Sequence, residues 1–95
     1  MDSKLFLVSL SGSNPPKGLS APLKSLWYDA KGDWNLAHDI AQDIPGKEGA
    51  VLHAYLHRKE GDQWNAGYWY RAAGAKIPDQ TLDEEWMELL ERFLK

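Results

Sequence analysis

Two stretches of this chain align with each other at an offset of 29 residues. Gly32-Asp33 falls on Gly61-Asp62, Ala37 on Ala66, Leu23 on Leu52, Ala21 on Ala50, and Ser25 on Ala54, small on small. A Gly-Asp pair between two apolar-periodic stretches closes one helix and opens the next. The glycine takes the left-handed cap, and the aspartate accepts hydrogen bonds from the first turn that follows. An alanine four residues after each aspartate lets the second helix lie close against the first. One such pair cannot bury its apolar face alone, so the two copies must stack. The spacing therefore predicts an all-α fold of two stacked antiparallel helical hairpins.

The apolar periodicity fills in the rest. Leu23, Leu26, Trp27 and Ala30 share a face of a helix capped by Ser20, with Pro22 tolerated in its first turn. Trp34, Leu36, Ala37, Ile40, Ala41 and Ile44 form the apolar side of the next, which Pro45-Gly46 stops. A third helix is expected from about 48 to 60, with Val51, Leu52, Tyr55 and Leu56 on one arc. Ala66, Trp69, Tyr70 and Ala73 make the main face of the fourth. Thr81-Leu82-Asp83-Glu84 fits a capping box that opens a C-terminal amphipathic helix. Leu82, Trp86, Leu89, Leu90 and Phe93 lie on its stripe, and Glu84, Glu85, Glu88 and Glu91 are expected on the opposite, solvated side. The run Leu5–Leu10 suits a short strand or a short helix, and its helical company favours a helix.

At 95 residues this is one domain. Residues 1–19 are an N-terminal segment and loop, 20–45 the first hairpin, 46–74 the second, and 75–95 a connector and the closing helix.

Pieces of the pattern resemble tetratricopeptide and Sel1-type helical repeats. The shared features are the Gly-Asp turn, Ala37 with Ala41, Ala66 with Tyr70, Tyr28 three residues after Ser25, and Pro45 after the first unit. The departures are a period shorter than the tetratricopeptide's roughly 34 residues, Lys24 and His53 at usually aliphatic places, and His57 where tyrosine is usual. The string from His53 to Asp62, followed by Asn65-Ala66 and Tyr68-Trp69-Tyr70-Arg71, resembles a group of small bacterial proteins. So do Leu26-Trp27-Tyr28-Asp29, Gly32-Asp33-Trp34 and Ala37-His38. That resemblance implies kinship and no particular activity.

Several functions are excluded or disfavoured. A net charge of −3 with no basic run argues against nucleic acid. Leu5–Leu10 is too short to span a membrane and has no cleavage-site pattern, so a cytoplasmic location is expected. With no cysteine there is no disulfide, thiolate zinc site or thiol catalysis. No nucleophile elbow, phosphate-cradling loop or dinucleotide fingerprint occurs, so no cofactor and no catalytic residue is assigned. Asp29, Glu60 and a histidine are the only set suggestive of acid–base work.

Two groups of residues remain. His53 and His57 are four apart and share a helix face. Folding the chain back at Pro45-Gly46 sets His38 roughly opposite His53, so the three can be metal ligands, with a carboxylate or water completing a zinc shell. The plainer alternative is histidines hydrogen-bonded between helices. On the fourth helix Trp64, Tyr68 and Arg71 fall on the side away from Ala66 and Tyr70. They either pack under the last helix or bind a protein partner or a second copy, as such residue types do at binding hot spots. Arg58 and Arg71 are expected to pair with Asp29, Asp39 or Glu60. The sequence thus favours a non-enzymatic interaction module, with a small enzyme or metal-binding protein built on the histidines as the alternative.

Overall fold

The computed structural model describes residues 1–95 and contains six helices and no strand. They are α1 (Ser3–Ser9), α2 (Ala21–Ala30), α3 (Trp34–Gln42), α4 (Gly46–Lys59), α5 (Gln63–Ala72) and α6 (Leu82–Leu94). The ambiguous N-terminal run is helical, opened by the Asp2 carboxylate on the Leu5 amide.

The two Gly-Asp turns share the same closing backbone bonds. The Asp33 amide donates to Tyr28 O and the Gly32 amide to Asp29 O; the Asp62 amide donates to His57 O and the Gly61 amide to Arg58 O. This is the Schellman arrangement, which needs a left-handed residue at its hinge, and Gly32 and Gly61 sit there at φ 86° and 88°. Each aspartate then caps the next helix: Asp33 Oδ1 accepts from the Leu36 amide and Asp62 Oδ1 from the Asn65 amide, both at 3.1 Å. The α6 start is the predicted capping box, with Thr81 Oγ1 on the Glu84 amide and Glu84 Oε1 on the Thr81 amide.

Consecutive helices pack on one another, α2 with α3, α3 with α4, and α4 with α5, while α6 lies on α2 and α4 and touches α1. The small residues serve close approach, as their positions implied. Ala37 and Ala66 are buried, and Ser25 Oγ reaches across to Ala37 O at 2.8 Å. The helix α4 is the centre: every residue from Gly49 to Leu56 is buried, so its one-sided sequence arc understates its surroundings. One apolar cluster takes residues from all six helices. No helix is long and apolar enough to cross a membrane.

Two expectations about charge need correction. Glu85 is not on the solvated side of α6 but 3% exposed. It accepts from the Tyr70 hydroxyl at 2.7 Å and from Arg58 Nη1 at 2.8 Å, and Arg58 also donates to Gln80 O. The partner of Arg58 is therefore Glu85, and Arg71 forms no ion pair. Asp29 is buried too, and it takes the Tyr55 hydroxyl at 2.9 Å and Lys59 Nζ at 2.8 Å. Periodicity missed these because a carboxylate goes inside only when specific donors meet it, and those donors lie 15 to 30 residues away.

Candidate functional site

The Asp33 cap fixes the start of α3, and one turn later Trp34 and His38 fall on the same face. Their rings stack, with centroids 4.9 Å apart and planes 16° apart. The Trp34 indole donates to Leu56 O at 2.8 Å, at the far end of α4. That bond sets the register of α3 against α4, and the register brings His38 to His53 and His57.

All three imidazoles converge. His38 Nε2 and His53 Nε2 are 2.8 Å apart, one ring donating and the other accepting. Ring centroids are separated by 4.6 Å (His38–His53), 5.1 Å (His38–His57) and 4.8 Å (His53–His57). One nitrogen from each ring lies within 4.8 Å of the other two. His53 is 8% exposed and rests against the Trp69 ring of α5 at 4.3 Å. The His57 side chain, 12% exposed, is held by Glu60, whose Oε1 is 2.6 Å from His57 Nδ1. The sequence set Glu60 beside a histidine only as an acid–base candidate, and Trp69 not at all. The His-x-x-Glu spacing at the end of α4 was the available signal for Glu60; Trp69 is brought in only by the packing of α5.

The electrostatics follow from this crowding. Burial, and then the neighbouring His38 and His57, push the His53 pKa down to about 4. Burial lowers His38 as well, with His57 adding to it and Asp39 and Glu60 opposing. Between the unfolded value of about 6.5 and about 4, the unfolded chain therefore binds a proton that folded His53 refuses. That contribution to stability is present above pH 6.5 and is lost as the pH falls toward 4. The His53 ring signal is expected to titrate by NMR near pH 4, with the denaturation midpoint falling over the same window. A His53 midpoint near 6.5 would contradict the packing described.

The three surface cavities, about 480, 250 and 380 Å³, are lined by other residues and do not touch the histidines. Of the Asp29, Glu60 and histidine set, Glu60 meets His57, while Asp29 is engaged by Tyr55 and Lys59. His57, Glu60 and Asp62 also come near each other. There Glu60 is engaged by His57, and Asp62 by the amide and side chain of Asn65.

The second group lies on the outer side of α5. Trp64 is 74% exposed and Tyr68 49%. Their rings lie near parallel, with centroids 6.3 Å apart and planes at 16°, and Tyr68 meets Trp69 edge-on at 5.1 Å. Arg71 is exposed, its guanidinium folded over Gly67, where an added Cβ would come within 3.3 Å of Nη1. Helix α6 meets α5 on its Tyr70 side, through Glu85, and leaves Trp64 and Tyr68 exposed.

No protein-family model, curated protein or solved structure matches this chain.

Proposed function

We propose that this protein is a non-enzymatic interaction module of the helical-repeat type, in which the first copy of a tetratricopeptide- or Sel1-like hairpin scaffolds and the second recognises a protein. The observation that carries the reading is the open stack of Trp64 on Tyr68. The repeat itself supplies the comparison. Twenty-nine residues earlier, Asn35, Asp39 and Gln42 stand where Trp64, Tyr68 and Arg71 stand in the second copy, and all three are exposed polar residues. The hairpin thus has no structural need for aromatic side chains there. Leaving a large apolar side chain in water forgoes about 1.5–3 kcal/mol of burial, which a partner can recover. Tryptophan, tyrosine and arginine are the types that concentrate binding energy at interface centres.

The test imposes the first copy's residues on the second. A Trp64→Asn/Tyr68→Asp variant is expected to keep wild-type stability within about 0.5 kcal/mol, as exposed substitutions do. It is also expected to lose the associations that wild type makes, measured by light scattering for self-association and by paired capture from native lysate. Equal association by both proteins would overturn the reading.

A further inference from the structure

We propose that His38, His53 and His57 form a three-imidazole binding site for a divalent transition-metal ion, Zn²⁺ by the type and number of its ligands. This stands apart from the aromatic face and survives if that face binds nothing. Zinc is held by imidazole nitrogens at about 2.0–2.1 Å in a tetrahedron, which sets ligand nitrogens about 3.3 Å apart. Here the His38 and His53 nitrogens are 2.8 Å apart, and the set lies within 4.8 Å. An ion inserted between them needs the first pair to part by about half an ångström and the third to close. Rotations about the histidine side-chain bonds supply movements of that size.

The surroundings are those a metal-binding histidine requires. A ligating imidazole usually gives its second nitrogen to a carboxylate, which fixes the ring and raises its basicity. Glu60 holds His57 in this way through Nδ1, leaving Nε2 for the ion. Trp34 and Trp69 stack on His38 and His53 and hold those rings in place. The ligands come from two helices, α3 and α4, whose register the Trp34–Leu56 bond fixes, so the site exists before the ion arrives. His38 is only partly buried, and through it the fourth position is open to water. Three imidazoles and one water leave the ion open to exchange, unlike a closed structural site of four protein ligands.

The experiment uses the full-length chain, stripped with chelator and titrated with zinc chloride by calorimetry. One ion per chain is expected, with a Kd below about 10 μM. His57→Ala removes one ligand, and its far-UV spectrum and urea midpoint are checked alongside so that a loss of binding is read only on folded protein. This variant is expected to bind more than about tenfold more weakly, and Glu60→Gln about tenfold more weakly, the usual effect of losing an outer-shell partner. In ring NMR of the wild type, zinc is expected to shift all three histidines together. Absence of saturable binding below about 10 μM, or a His57→Ala variant within tenfold of wild type, would overturn the site. Glu60→Gln binding as wild type would overturn the positioning role of Glu60.

Discussion

Replacing Glu85 with alanine is expected to remove about 3–5 kcal/mol of stability, the cost of breaking a buried pair from one side. The carboxylate is nearly inaccessible and holds two donors, the Tyr70 hydroxyl and the Arg58 guanidinium. Removing it leaves Arg58, itself mostly covered, as a buried cation whose only remaining partner is Gln80 O. It also strands the Tyr70 hydroxyl, whose proton is held more firmly than usual by burial and by Glu85. A domain of this size holds only about 5–15 kcal/mol in total, so Glu85→Ala should sit near the edge of folding at 37 °C. Glu85→Gln keeps an acceptor for Tyr70 and loses the charge, so it should fall between. Urea denaturation measures all three proteins. A Glu85→Ala variant within 1 kcal/mol of wild type would mean that α6 is not held through this residue.

A second large effect is expected at Gly49. It lies in the first turns of α4, where the chain leaving α3 folds across it. A Cβ built there would stand 1.8 Å from Ile44 O and 2.7 Å from Ile44 C, both backbone atoms. Neither can rotate away, so Gly49→Ala must push the Asp43–Pro45 segment off the central helix. The expected loss is at the upper end of the about 1–3 kcal/mol typical of overpacking, despite alanine's better helix propensity. Gly32→Ala is the control. Nothing lies within 4 Å of its added Cβ, so only the left-handed backbone is penalised, by about 1–2 kcal/mol. Thermal unfolding ranks the two; Gly49→Ala as stable as wild type would refute the close approach.

The contrast between these glycines also marks where sequence reasoning reaches. Gly32, Gly61, Asp33, Asp62 and the Thr81–Glu84 box were legible because caps are local: each bond spans three to five residues. The α6 stripe was legible for the same reason. Gly49 was not, since its role depends on how the chain leaving α3 folds over α4. Glu85 and Asp29 were not, since a carboxylate's burial is decided by Arg58, Tyr70, Tyr55 and Lys59 on other elements. The histidines fall between. His53 with His57 is a helical spacing, while the approach of His38 needs the α3–α4 register, which the Trp34 indole sets. The exposure of Trp64 and Tyr68 could not be read from α5 alone, because it depends on which side of α5 meets α6.

The chain carries its own reporters for the claim that the second copy recognises a partner. Its five tryptophans give five indole N–H signals. Those of Trp27, Trp34 and Trp86 donate inside the fold, to Ser9 Oγ, Leu56 O and Leu26 O, while Trp64 is open to water. An NMR spectrum of ¹⁵N-labelled protein in native lysate, compared with buffer, therefore reads the face directly. The account predicts that the Trp64 indole signal shifts or broadens while those of Trp27 and Trp86 stay in place. An unchanged Trp64 signal, or equal broadening of all five, would contradict it.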